Sequence, residues 1–271
     1  MKSPILRLLA PALLLVSLPL AAPAALLVAG PVPASLVDED EVPDKRDEIK
    51  DLIKTFEGHT KKKGKEDTEA VAVMDRMLQE FEESGPKDRE SLVKALEKTF
   101  KLKRKDLEDD VKDNRVAFAA AVCLGKMAPE SVDALAKAAK KGFKDDDALF
   151  RRVLISLGQT EHEDAVDPLM DLIDHKLPLI QGAAIESLGN FREQPQKMRK
   201  EAVNQILKVI LPIKSTVDSD SEDTIARERY DVIGPPAITT LQNLTDEKIR
   251  NFVEWQQWWN KNKNKDWDDE G

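Results

Sequence analysis

Acidic and histidine side chains crowd one short segment of the chain, and their types suggest a metal site. The members of this cluster are His162, Glu163, Asp164, Asp167, Asp171, Asp174 and His175. Divalent metal ions bind carboxylate oxygen and imidazole nitrogen in proteins. Asp167, Asp171 and His175 are spaced four residues apart, so on a helix they share one face. Apolar residues alternate with them, namely Leu169, Met170, Leu172 and Ile173. We therefore interpret the acids as the solvated side of an amphipathic helix and predict that they bind no metal.

A second acidic run, at 218–222, resembles the opening of a calcium-binding loop. Its sixth position needs Gly for the turn but holds Asp223, and its twelfth needs a bidentate Glu but holds Arg229. The sequence also lacks a Gly-rich phosphate loop, a dinucleotide-binding fingerprint and a supported Ser-His-Asp or Cys-His arrangement. We therefore predict a protein that is not an enzyme, with no catalytic residue and no cofactor.

Composition indicates a helical protein and argues against several function classes. Charged residues make up 34% of the 271 residues and aromatic residues only 5%, which favours Ala- and Leu-rich helices over sheets. One Cys and three His exclude a disulfide framework and a His-rich metal centre. The net charge of −9 argues against nucleic acid as a partner. Two basic runs, at 61–65 and 101–105, are each followed by acids, so we interpret them as solvated loops.

Residues 1–34 are predicted to be a secretory signal peptide. Lys2 and Arg7 are the only charges before position 38, and a Leu/Ala-rich run follows them. This order is typical of an export signal. Small residues offer cleavage after Ala24 or after Ala34, and the pattern leaves both sites open.

The alternative for the same segment is an uncleaved anchor, since residues 8–28 are long enough to cross a bilayer. In either case the protein is expected to be exported, whether secreted, periplasmic or in the cell envelope. It would contact a membrane only if the leader is uncleaved. The acidic residues 35–43 are predicted to form a linker to the rest of the chain.

Three segments in the middle of the chain repeat the same pattern. We call them windows: VAFAAAVCLG at 116–125, LFRRVLISLG at 149–158 and IQGAAIESLG at 180–189. The closing glycines are 33 and 31 residues apart. Apolar or small residues recur at the first, fifth, eighth and ninth positions, and these offsets share one face of a helix. Each window therefore predicts an amphipathic helix whose closing Gly adopts a left-handed conformation. Cys123, at an eighth position, is predicted to be buried and unreactive.

A second amphipathic helix is predicted between successive windows, at 129–143 and at 161–175. Two helices in roughly 32 residues, neither able to bury its apolar face alone, are typical of an α-solenoid. We therefore predict an all-α solenoid of antiparallel helix pairs over 44–262, clearest at 112–190. The sequence Ile233-Gly234 is interpreted as the eroded end of a fourth window.

The stretch DAVDPLMDLIDHKLPLIQGAAIESLG at 164–189 resembles a HEAT repeat of the bilin-lyase type. Pro168 matches the internal proline of that family's first helix. The second helix is matched by Ile180, Ala184, Ile185, Leu188 and Gly189. The arginine that usually follows the first apolar residue is replaced by Ala117, Phe150 and Gln181. The resemblance implies a HEAT-like (armadillo-type) superhelix. Kinship with bilin lyases would imply a pigment lyase or chaperone, which the export signal argues against.

All four Trp residues lie near the carboxyl end of the chain. A helix over 246–262 is predicted, followed by a polar tail at 263–271. One face of this helix carries Phe252, Trp255, Trp258 and Trp259. This face is predicted to cap the apolar end of the last repeat. The alternative is an exposed platform for polysaccharide. The order of ITTLQNLT and WQQWW resembles the terminal segments of secreted bacterial HEAT-repeat proteins.

The predicted function is that of an exported, non-enzymatic scaffold for protein–protein interaction, its partner unidentified. Binding is expected opposite the buried positions of the windows, at the third and seventh positions. The candidate residues are Phe118, Val122, Arg151, Ile155, Gly182 and Glu186. An alternative interpretation is that they fill the seam between adjacent helices. The alternative function is a cell-envelope or polysaccharide-binding module that uses the Trp face.

Overall fold

The computed structural model describes residues 44–104 and 113–268. The predicted leader at 1–34 and linker at 35–43 lie outside these residues, as do the basic-run residue Lys105 and residues 269–271 of the tail. Every regular element within the described residues is a helix, which confirms the all-α prediction. No helix in these two ranges is long and apolar enough to span a membrane.

The helices follow one another as antiparallel pairs. The first member of each pair is α1 (Asp47–Thr60), α3 (Pro86–Glu97), α5 (Val132–Lys141), α7 (Val166–Met170) or α9 (Gln196–Ser219). The second member is α2 (Asp67–Glu82), α4 (Arg115–Leu124), α6 (Asp147–Gly158), α8 (Pro178–Leu188) or α10 (Thr224–Thr245). A last helix, α11 (Phe252–Asn262), packs against α9. First helices form one layer and second helices the other, as the solenoid prediction requires.

The second helices stack in the register that the windows predict. The first, fifth and ninth positions of all three windows are buried, because these residues face the layer of first helices. A fourth window lies at 233–242 in α10, where Ile233, Ala237, Thr240 and Leu241 are buried at the same four positions. The interpretation of Ile233-Gly234 as the end of a window is therefore wrong. These two residues begin the fourth window, inside a continuous helix.

The closing glycines are not left-handed. Gly125 and Gly189 have φ of −60° and −65°, which any residue adopts. Their role is close packing, since each faces the next second helix. A Cβ on Gly158 would lie 2.6 Å from Ser187 Cβ and 2.9 Å from Ser187 Cα. The prediction of a left-handed helix end was wrong because the pattern Leu-Gly is compatible with both uses of glycine.

Buried hydroxyls tie neighbouring second helices together. Ser187 Oγ donates to the Leu154 carbonyl of α6 at 2.9 Å, and Thr240 Oγ1 donates to the Ile185 carbonyl of α8 at 2.7 Å. Both hydroxyls occupy the eighth position of their windows and reach the sixth position of the preceding one. At Ser187 and Thr240 the small eighth residue therefore serves both close approach and hydrogen bonding.

The first helices are less regular than the second. The helix predicted at 161–175 is a short 3-10 helix (Glu163–Ala165) and the five-residue α7. After Met170 the chain continues in turns, and the Ile173 carbonyl accepts a hydrogen bond from Gln181 Nε2 at 2.7 Å. Helix α9 has 24 residues and is much longer than α7. The layer of first helices is therefore uneven where α7 meets α9.

Candidate functional site

The residues of the predicted binding face lie together on α4, α6 and α8, but most are half-buried. Phe118 packs against the core and lies under the Arg152 guanidinium, 5.7 Å from its ring centre. Val122, Arg151 and Ile155 are also half-buried, and only Glu186 is exposed. Gly182 is buried beneath Val232 of α10. The expected free apolar stripe is therefore not present at Phe118, Val122 and Ile155.

A groove between α8 and α10 begins at the edge of this face. Its apolar walls include Leu179, Val232, Pro235 and Pro236, and it has a volume of about 520 Å³. Leu179 is 41% and Val232 43% exposed, a large fraction for aliphatic side chains of their size. We call this surface the second-helix groove. Sequence reasoning missed it, although the Pro-Pro pair marks an irregular helix.

A charged pair borders the second-helix groove. Arg151 Nη2 lies 3.1 Å from Glu186 Oε2, with side chains 38% and 53% exposed. Such an exposed pair contributes only about 0.2–1 kcal/mol to stability. Both residues were among the predicted binding positions. Their exposure leaves them free to exchange this contact for one with a partner.

The two prolines also change the backbone hydrogen bonding of α10 beside the second-helix groove. Pro235 and Pro236 lie inside α10 and have no N–H group. The carbonyls of Asp231 and Val232 therefore cannot receive the usual helical hydrogen bond from the residue four positions ahead. The Val232 oxygen points to Gly182, where an added Cβ would lie 3.3 Å from it. The groove thus lies beside a stretch of α10 that lacks two helical N–H donors.

A larger groove lies in the other layer, between α7 and α9. We call it the first-helix groove; its volume is about 960 Å³. Apolar side chains line it, namely Val166, Met170, Ile173, Met198 and Val209. Its charged lining residues are Asp167, Asp171, Asp174, Lys197, Glu201 and Lys208. The acids that suggested a metal site in the sequence therefore form one margin of this groove.

Within 44–104 and 113–268, no three His, Cys, Asp or Glu side chains converge as a metal site. The histidines of the acidic cluster bind backbone instead. His162 Nδ1 accepts from the Asp164 N–H at 3.3 Å, and His175 Nδ1 accepts from the Leu177 N–H at 3.2 Å. His175 also packs edge-on against Phe150, with ring centres 5.8 Å apart. These contacts give both histidines a role in local structure.

The carboxyl-terminal Trp residues are largely packed inside the protein. Phe252 and Trp255 are 2% and 0% exposed, and Trp258 and Trp259 are half-buried. Trp258 Nε1 donates to Glu247 Oε1 at 2.8 Å, and its ring lies 5.3 Å from that of Trp267. A platform for stacking sugar rings needs Trp255 and Trp258 exposed, and this condition is not met.

Two further side chains differ in how well the sequence predicted them. Cys123 is buried, as expected from its position in the window, and burial raises the pKa of its thiol to about 11.

Arg104, in contrast, does not belong to a solvated loop. Its guanidinium donates to both carboxylate oxygens of Asp67 at 2.8 Å, and the two side chains are 7% and 0% exposed. Sequence gave no signal for this pair, which joins residues 37 positions apart.

Comparison with known families agrees with this architecture. Residues 132–209, from α5 into α9, match the family model for HEAT repeats. No curated protein matches the chain. HEAT repeats are stacked helix pairs, which is the arrangement that the described residues adopt. Residues 132–209 are therefore identified as HEAT repeats.

Proposed function

We propose that this protein is an exported, non-catalytic scaffold that binds a protein partner in the second-helix groove. HEAT-repeat proteins are often interaction scaffolds and typically lack catalysis. Solenoids of this kind bind partners along extended surfaces of stacked helices. The groove is formed by two such neighbouring helices, α8 and α10.

The observation that carries this proposal is the joint exposure of Leu179 and Val232 in one groove. Only four large hydrophobic side chains stand out as exposed among the described residues, and these are two of them. An apolar centre with a charged margin, here Arg151 and Glu186, is the usual anatomy of an interaction surface. The partner would place an apolar side chain between Leu179 and Val232 and contact Arg151 and Glu186 at the margin of the groove.

Site-specific photo-cross-linking tests the proposal. Val232 is replaced by the photoreactive p-benzoylphenylalanine, and a matched control carries the same residue at Val253, which is 64% exposed on α11. Irradiation of intact cells should give a discrete adduct from position 232 and none from position 253. Leu179→Asp should abolish the adduct without changing the melting temperature. Equal adducts from both positions, or an adduct insensitive to Leu179→Asp, would contradict the proposal.

Export is supported by the charge and hydropathy pattern of the leader. Mass spectrometry of the native amino terminus distinguishes a start after Ala24 or Ala34 from an intact leader. An intact leader together with sedimentation in the membrane fraction would identify an anchored scaffold. A full-length chain in the cytoplasmic fraction would contradict export.

A further inference from the structure

We propose that the first-helix groove, between α7 and α9, binds an amphipathic helix with one basic edge. This surface lies in the layer of first helices, opposite the second-helix groove, so the proposal goes beyond the function proposed above. The partner helix would place apolar side chains on the floor of the groove and its lysines or arginines along α7.

The shape of the groove favours a helix. Its walls are two helices of one layer, and the layer is incomplete here because α7 ends at Met170 while α9 continues to Ser219. Helices that pack side by side lie about 8–10 Å apart, so a helix is the element that fills such a space in a helical layer. The volume of about 960 Å³ exceeds that of any other groove described above.

The floor suits apolar side chains of varied shape. Met170 and Met198 both line the groove, one from α7 and one from α9, and the lining residues Val166 and Ile173 are buried. Methionine is flexible and polarizable, so pairs of methionines accept different apolar partners with little strain. Amphipathic helices bind such grooves through residues spaced three or four apart.

The acidic residues along the groove predict that the partner is basic. Asp167, Asp171 and Asp174 follow the α7 margin at intervals of four and three residues. Asp167 and Asp171 are exposed and form no ion pair with any residue in the described ranges, while Asp174 is 3.7 Å from Arg229 Nη2. The α9 margin carries Lys197, Glu201 and Lys208 and is more mixed. Basic residues four apart on a partner helix would therefore face Asp167 and Asp171.

Two synthetic helices test the predicted charge. Both are peptides of about 18 residues with leucines on one face; one carries lysines along the edge of that face and the other carries glutamates. Fluorescence anisotropy at about 0.1 M ionic strength gives their affinities. The protein should bind the lysine peptide roughly tenfold more tightly than the glutamate peptide.

Charge reversal supplies the matched comparison. Asp167→Lys with Asp171→Lys should reverse the preference between the two peptides. Glu48→Lys with Asp51→Lys, on the exposed side of α1, changes the net charge equally and should leave it unchanged. Should the first double variant fail to fold, Asp167→Asn with Asp171→Asn should abolish the preference. An equal response to both double variants would mean general electrostatic attraction and would overturn the proposal.

Methionine methyl resonances locate the bound peptide. With ¹³C-methyl methionine, the signals of Met170 and Met198 should shift on titration with the lysine peptide. Met74 and Met77, fully buried in α2, should not shift. Peptide binding without shifts at Met170 and Met198 would overturn the proposal. Shifts that depend on protein concentration alone would do so too, because a second copy of the chain would then occupy the groove.

Discussion

Replacing Gly158 by Ala tests whether the closing glycines serve close packing between second helices. The added methyl would lie 2.6 Å from Ser187 Cβ and 2.9 Å from both Cα and the carbonyl oxygen of Ser187. Carbon atoms in contact are normally about 3.5–4.0 Å apart, so α6 and α8 would have to separate by close to 1 Å. Because Ser187 Cα and the Ser187 carbonyl oxygen belong to the backbone, rotation of a side chain cannot relieve these contacts.

The magnitude follows from two opposing effects. Overpacking of this kind typically costs about 1–3 kcal/mol. Alanine in place of glycine inside a helix recovers up to about 1 kcal/mol. The net expectation is a destabilisation of about 1–2 kcal/mol, since the clash involves backbone. Gly125→Ala should be milder, because its nearest contact would be 3.0 Å, to the Ser156 carbonyl oxygen.

Urea unfolding followed by circular dichroism measures these effects. Gly58→Ala is the matched control, because a Cβ at Gly58 in α1 would meet nothing within 4 Å. This control should be stabilised by up to about 1 kcal/mol. If Gly158→Ala shifts the urea midpoint upward as Gly58→Ala does, close packing is not the role of the closing glycine and the reasoning is refuted.

Four further predictions concern buried polar groups. Ser187→Ala should lower the free energy of unfolding by about 1 kcal/mol, because the hydrogen bond from Ser187 to α6 is lost. Ser156→Ala should be neutral or stabilising, and the midpoints of urea unfolding compare the two variants. The buried Ser156 hydroxyl has no hydrogen-bond partner among the described residues. Arg104→Met should lower the free energy of unfolding by about 3–5 kcal/mol, because it leaves the Asp67 carboxylate buried without a counter-charge. Adding Asp67→Asn to this variant should recover part of that loss in the same urea assay. Thiol alkylation at pH 8 should be about 100-fold slower for Cys123 in the native state than for an exposed cysteine, since its pKa is raised from 9.0 to about 11. A raised thiol pKa also means that stability falls as pH rises from 9.0 towards 11, because the unfolded chain then loses its proton first. Equal alkylation rates of Cys123 in native and urea-unfolded protein would contradict the predicted protection of this thiol.

The candidate sites were predicted only in part. Arg151 and Glu186 do lie at the second-helix groove, because their positions in the windows place them opposite the buried face. Leu179 and Val232 were missed, because their exposure depends on how far α10 stands from α8. The acids at 167 and 171 were correctly expected to face solvent, but their place beside a groove depends on where α9 lies.

The sequence by itself determined the helical class, the pairing of helices and the register of the second helices. Helical periodicity is a local property, so the windows at 116–125, 149–158 and 180–189 indicate which residues are buried without knowledge of their neighbours. The same reasoning placed Cys123 in the core. Residues whose environment is set within one or two turns of helix were therefore predictable.

Only the tertiary structure decided what depends on contacts between distant elements. Arg104 pairs with Asp67, and Gly158 approaches Ser187, although the members of each pair are far apart in the sequence. The register of the fourth window likewise depends on how α10 packs against α8. The two grooves lie where α7 is short and where α10 contains two prolines. The spacing between helices reflects packing summed over many residues, and no local pattern in the sequence encodes that distance.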